Sequence, residues 1–287
     1  MNKRVGGAVW SAQRGHAGGR EQPRGGNRCS ADESAVIRSV QQHYDTTSFD
    51  CMSDVVLEQV HDQTLLGEVG CYFEMDRWRR VADVGCGASA RNVFFARRYW
   101  RLDAVAVDIS RQSLERARER IAVPYVNANI LALPFRDETF DFAISTGVIH
   151  HTPAPRRALQ ELARVTKRGG GMFVSVYNRR SVYRPLYQYL GVILRSLNRG
   201  KLKPLLRWVV VPCYALAYTV IVWIAVKRYV SVPYRQAQAD FADKFLTPYV
   251  EFVPAERVEG WIAAEGLICL RRGTHMLAMM VGFLIGK

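Results

Sequence analysis

From residue 81 onward the chain alternates short apolar runs with amphipathic stretches. VADVG, AVAVD, FAIST and MFVSVY have the length and composition of strands buried on both faces. The stretches between them repeat their apolar residues at helical spacing. Ser110 caps a helix to about Ile121. A second helix, from about Pro155 to Val165, places Ala158, Leu159, Leu162 and Val165 on one face, and Gly169 to Gly171 are expected to end it. A third, Ala255–Ala264, carries Val258, Trp261 and Ile262 before Gly266. Strands over Leu267–Arg271 and Thr274–Leu284, joined at Arg272–Gly273, would close the sheet as an antiparallel hairpin. This βαβ rhythm predicts an α/β fold: a Rossmann-like, doubly wound, mostly parallel sheet.

Ahead of that core, Ser30 or Asp32 can cap a helix through Val36, Ile37 and Val40, and a second helix is expected from Asp54 to about Leu66, ending near Gly67. The organisation predicted is therefore a basic tail over 1–30, a helical cap over 31–80, a core over 81–178, an insertion over 179–239 and completion of the core over 240–287. The tail holds Lys3, Arg4, Arg14, Arg20, Arg24 and Arg28 against Glu21 and is rich in glycine, which reads as disorder.

The insertion changes the picture most. Arg179 to Ala239 contains no Asp or Glu in a chain of net charge +14, yet carries eleven Arg and Lys. Within it, Trp208 to Val226 is free of charge and long enough to cross a bilayer, with Trp208, Trp223 and Tyr229 placed as interfacial anchors. A single crossing would separate strands of one sheet, so the segment reads as a monotopic contact, a lid over an apolar pocket, or a dimer helix. The six cysteines are scattered and form no CxxC pair, which indicates neither a zinc cluster nor a disulfide framework and suits a reduced, cytoplasmic setting. The N-terminus has no apolar signal-peptide region.

The candidate chemistry gathers at the strand ends. The glycines of Asp83-Val84-Gly85-Cys86-Gly87 allow a sharp turn and close approach to a ligand. Gly85, Gly87 and Ala90 also fit the dinucleotide fingerprint, but Asp83 would repel a pyrophosphate and would suit a ligand bearing an ammonium group. Asp108, ending AVAVD, can accept from ribose hydroxyls.

VADVGCGAS, AVAVDIS, NANILALPFRDETFDFAISTGVIHHT and ELARVTKRGGGMFVSVYN together resemble the ordered motifs of class I S-adenosylmethionine-dependent methyltransferases, in particular the ubiquinone and menaquinone type. The resemblance implies S-adenosylmethionine as cofactor. It also implies that Asp83, Gly85, Cys86 and Gly87 line the methionine portion, Asp108 holds the ribose, and Ile109, Asn129 and Ile130 meet the adenine. Thr146 and Val148 would sit near the donor sulfur, and Tyr44 would cover the site. Ser89 stands where a third glycine is commonest, Asn129 where an Asp is usual, and Arg168 where Pro often precedes the glycines.

His150 and His151, just after the fourth strand, are candidate bases; His43 could also face the pocket. The function expected is methylation of a lipophilic small molecule, at oxygen or carbon, at the inner face of a membrane. The partners expected are that acceptor and an anionic membrane surface, with no specific nucleic acid, in a monomer or homodimer. The alternatives are an RNA or protein methyltransferase, drawing on the basic tail, and a non-catalytic cofactor-binding protein at a membrane.

Overall fold

The computed structural model describes residues 30–47, 65–226, 232–275 and 278–287. The basic tail and most of the helix expected over 54–66 lie outside them. Leu65–Cys71 is a 3-10 helix that runs through Gly67 rather than ending there.

Seven strands form one sheet: β1 (Arg80–Val84), β2 (Asp103–Asp108), β3 (Tyr125–Asn127), β4 (Phe140–Thr146), β5 (Thr166–Tyr177), β6 (Ile268–His275) and β7 (Met280–Gly286). Their order is β3-β2-β1-β4-β5-β7-β6; the first five are parallel, and β7 is antiparallel to both its neighbours. Alternate residues of each strand point to opposite faces. Ala82, Val84, Ala143, Met172, Val174, Phe283 and Ile285 pack on one side against Leu159 and Leu162 of α4 (Pro155–Val165) and Val258 and Ile262 of α8 (Ala255–Ala264). Val81, Ala106, Phe142, Ile144, Phe173 and Leu284 pack on the other side with α2 (Arg91–Tyr99) and α3 (Arg111–Arg120). Phe140 joins the first face because the register shifts between it and Phe142.

Two turn assignments differ from the sequence expectation. Helix α4 stops at Val165, where the Thr166 hydroxyl donates to the Leu162 carbonyl, and β5 begins at once. The three glycines serve strand packing. A Cβ on Gly170 would meet the Asp141 carbonyl oxygen at 2.4 Å, one on Gly171 would strike the Phe73 ring at 2.4 Å, and Gly169 has φ +75°. The final hairpin turns after His275, not at Arg272–Gly273. Pairing of Met280 with Tyr177 of β5 sets where β7 starts, so β6 runs straight on, with Gly273 opposite Gly282.

Helix α1 (Ala31–Thr46) opens with a full capping box: the Glu33 amide donates to the Ser30 hydroxyl, and the Ser30 amide donates to the Glu33 carboxylate. The insertion folds into three helices, each with one π turn. Tyr183–Pro185, Leu186–Leu190 (π) and Gly191–Arg199 form α5; Lys203–Leu205, Leu206–Val210 (π) and Val211–Val226 form α6; Tyr234–Phe241 and Ala242–Leu246 (π) form α7. Leu206, Val211 and Tyr214 of α6 pack on Phe241 and Phe245 of α7. The opposite face of α6 is exposed, with Trp208, Leu216 and Ile224 each more than two-thirds accessible.

Candidate active site

The loop after β1 is drawn tightly onto β2. The Gly85 and Cys86 amides donate to the Val107 carbonyl at 2.7 and 3.0 Å. Gly85 has φ +81°, and a Cβ there would fall 2.2 Å from a Val148 methyl. Gly87 has φ +60° and faces open space. Both positions are left-handed, which costs a side-chain-bearing residue about 1–2 kcal/mol.

Asp108 receives the Gly87 amide on Oδ2 and the Ser110 amide on Oδ1, both at 2.8 Å. Burial pushes its carboxyl up to about 6 despite these bonds. Asp83 is 1% exposed. Asn92 donates to its Oδ1 at 2.9 Å, while Oδ2 has no partner among the described residues. Burial raises this carboxyl to about 7, with Asn92 and Arg91 opposing the rise.

After β4 the chain makes a 3-10 turn over Ile149–His151. At three residues per turn, adjacent side chains diverge, so the two histidines part. His151 faces a cavity of about 210 Å³ at the carboxyl ends of β1, β2 and β4. Its Nδ1 lies 2.9 Å from the Tyr249 carbonyl oxygen. A carbonyl only accepts, so Nδ1 carries a proton, and in the neutral ring Nε2 presents a lone pair, buried and without a partner among the described residues. Burial lowers the pKa of His151, against the nearby Asp243 carboxylate. His150 is fully buried behind it, its ring centroid 4.1 Å from that of Tyr177, and both its nitrogens lack partners among the described residues. It does not reach the cavity wall.

Two elements distant in sequence cover the cavity. From α1 come Ile37, Val40 and Tyr44; from α7 come Asp240, Asp243 and Lys244. The Tyr44 hydroxyl donates to Asp243 at 2.9 Å, and Tyr177 donates to its other oxygen at 3.3 Å. The π turn of α7 frees carbonyls that α5 then caps. Tyr183 donates to Lys244 O, Arg195 to Phe245 O and Tyr187 to Thr247 O. The apolar insertion thereby holds the polar face of α7 against the cavity.

Residues 82–174 match the family model of the methyltransferase domain. Over 107 residues the chain is 37% identical to a malonyl-(acyl-carrier protein) O-methyltransferase of Erwinia pyrifoliae, covering 36% of this chain and 39% of that protein. It is 31% identical over 131 residues to a demethylmenaquinone methyltransferase of Renibacterium salmoninarum, covering 44% of this chain and 54% of that one. The chain carries a class I, S-adenosylmethionine-dependent methyltransferase domain. The alignments thus span about half or less of these curated relatives. A chain from the complex between the Haloferax volcanii Trm112 methyltransferase activator and a methyltransferase has the same fold, with a TM-score of 0.54 at 12% identity, covering 86% of this chain and 96% of its own.

Of the site residues expected from sequence, the methyltransferase fold brings Tyr44, Gly85, Cys86, Gly87, Asp108, Ile109, Asn129, Ile130, Thr146, Val148 and His151 around one cavity. Asp83 and His150 lie one layer behind its wall. Asn129 turns its Oδ1 onto the Leu131 amide at 2.9 Å, which leaves that oxygen one lone pair. S-adenosylmethionine carries an ammonium, a sulfonium and a ribose diol, and the donor set suits it: an orphaned buried carboxylate oxygen at Asp83, a cradle at Gly87 that a side chain would fill, and the Asp108 carboxylate.

Sequence reasoning missed Arg91, Asn92, Tyr177, Asp240, Asp243, Lys244, Met279 and Met280. Arg91 could have been noticed as a cation directly after the glycine loop. Asp240 and Asp243 are the first acids after the acid-free run. Tyr177 and the methionines carry no such signal.

Proposed function

We propose that this chain transfers a methyl group from S-adenosylmethionine to a hydroxyl oxygen of a lipophilic small molecule, with His151 as the base. The observation that carries this reading is the His151 imidazole, its Nδ1 committed to the Tyr249 carbonyl and its buried Nε2 on the cavity wall without a partner among the described residues. Ile37, Val40, Met279 and Met280 give the rest of that wall an apolar character suited to a greasy acceptor. The malonyl-(acyl-carrier protein) and demethylmenaquinone relatives act on different acceptors, so the acceptor class here rests on the wall and the insertion.

In the proposed arrangement Arg91 on the wall holds the carboxylate of the methionine portion, Asp83 behind Asn92 supplies the counter-charge for its ammonium, Asp108 holds the ribose, and Ile109, Asn129 and Ile130 meet the adenine. Bound S-adenosylmethionine supplies an electrophilic methyl group. His151 Nε2 takes the proton of the acceptor hydroxyl as its oxygen bonds to that methyl. The positive charge thus passes from the sulfonium to the imidazolium, leaving a neutral thioether and a methyl ether. Alignment of the reacting atoms supplies most of the acceleration.

The exposed face of α6 supports work at an anionic membrane surface, since Lys201, Lys203 and Arg207 flank it and no acid opposes them. β5 before the insertion and β7 after it are hydrogen-bonded neighbours, so a helix lying in the interface fits and a single crossing does not.

Titration calorimetry with S-adenosylmethionine and S-adenosylhomocysteine tests the reading. Micromolar binding by the wild type should weaken by at least about tenfold in Asp108→Ala, from loss of hydrogen bonds to a charged group. Folded protein that binds neither, or binds a nicotinamide dinucleotide instead, overturns it.

A further inference from the structure

Two carboxylates line the cavity without a cation partner among the described residues. Asp108 ends β2 and accepts from the Gly87 amide of the glycine loop. The other, Asp243, comes from α7, outside the stretch that matches the methyltransferase family. Its neighbour Asp240 is neutralised: Lys244 Nζ lies 2.7 Å from both Asp240 oxygens, and Tyr214 donates to the same group. Asp243 has hydrogen bonds but no ion pair, because each of its oxygens accepts from a phenol, Tyr44 or Tyr177. Both phenols are held well above their usual range, by burial first, and both donate, so they orient the carboxylate without bringing a counter-charge to it.

The basic groups in its field are His43 and His151. Around His151 stand His43 and Tyr44 from α1, His150 from its own turn, Tyr177 from β5, Asp243 from α7 and the Tyr249 carbonyl. Among the described residues, Asp243 is the carboxylate that acts on His151.

We propose that Asp243 is the counter-charge of the transfer centre, facing the sulfonium before methyl transfer and the His151 imidazolium after it. The inference rests on the cofactor and base assigned above. The reaction moves one positive charge from sulfur to His151 Nε2 and leaves the total unchanged. A fixed anion beside both positions stays compensated throughout, with no reorganisation. Asp243 is a positioning residue by this account. Its two phenols come from the cap and the core, so the carboxylate is aimed only when cap, core and insertion are assembled.

The test compares a cationic cofactor with its neutral product. S-adenosylmethionine and S-adenosylhomocysteine differ by the methyl group and the sulfur charge, so their affinity ratio reads the field at the sulfur. In Asp243→Asn, which keeps the shape and an acceptor for the phenols, S-adenosylmethionine should bind roughly five- to tenfold more weakly. S-adenosylhomocysteine should stay within about twofold of wild type. Asp243→Ser gives the same reading should the amide disturb the fold, and near-UV circular dichroism checks both. Equal weakening of the two ligands means a structural role and overturns the proposal, as does an unchanged ratio. Failure of the wild type to bind either ligand overturns the cofactor assignment instead, which separates the two failures.

Discussion

Gly85→Ala isolates what the glycine loop contributes. The new methyl group would lie 2.2 and 2.8 Å from the two Val148 methyls and 3.0 Å from its Cβ, at φ +81°. Val148 is β-branched, so no rotamer withdraws both methyls. Overpacking of this kind costs about 1–3 kcal/mol, and the left-handed backbone adds about 1–2 kcal/mol, giving about 2–5 kcal/mol in all. Val148→Ala removes both clashing methyls and leaves the backbone strain. The double variant should therefore be more stable than the sum of the single changes by about 1–3 kcal/mol. Gly87→Ala is the internal contrast. Its Cβ meets nothing within 4 Å, so only about 1–2 kcal/mol of strain is expected. Its larger effect should be on cofactor binding, because the methyl enters the cavity. Urea unfolding of the four variants measures the stabilities. Additive effects at 85 and 148, or Gly85→Ala no more costly than Gly87→Ala, would refute the close-packing argument.

Two further outcomes follow from charge and exposure. Asp83 titrates at about 7 without ligand, and a bound ammonium favours its ionised form. S-adenosylmethionine affinity should thus be flat above pH 7 and fall by up to about tenfold per unit below it, as a proton must leave before the cation binds. Calorimetry across that range checks this, with Asp83→Asn expected to be weak and flat; a flat wild-type profile sinks the assignment. Vesicles rich in phosphatidylglycerol should carry the protein upward in a flotation gradient, less so in high salt. Changing Trp208, Leu216 and Ile224 to Glu together should leave it at the bottom. A wild-type protein that does not float, or a dimer in sedimentation that covers this face, excludes the membrane.

Much of the core was legible because its signals are local. A strand buried on both faces must be largely apolar, and VADV, AVAVD, FAIST and MFVSVY lie in β1, β2, β4 and β5, with Gly85 just beyond β1. Helix α8 falls on the bounds its periodicity predicts, and Ser30 and Ser110 cap as their positions suggest. The failures occurred where a distant partner decides. Glycines 169–171 look like a helix stop, yet the Asp141 carbonyl and the Phe73 ring are what require them. Arg272–Gly273 looks like a hairpin turn, yet pairing with β5 moves the turn beyond His275.

The site divides along the same line. One side of the cavity sits on strand ends, where Gly85, Asp108 and Thr146 follow directly from where each apolar run stops. The sequence by itself therefore determined the sheet, the glycine loop and the carboxylates beside it. The other side joins Tyr44, His151, Tyr177 and Asp243, with 199 residues separating Tyr44 from the carboxylate it donates to. Only the tertiary structure decided that His151 rather than His150 faces the cavity, and that an acid of α7, just after the insertion, lines the same cavity. Those outcomes depend on packing between segments remote in the chain, and residue spacing carries no record of it.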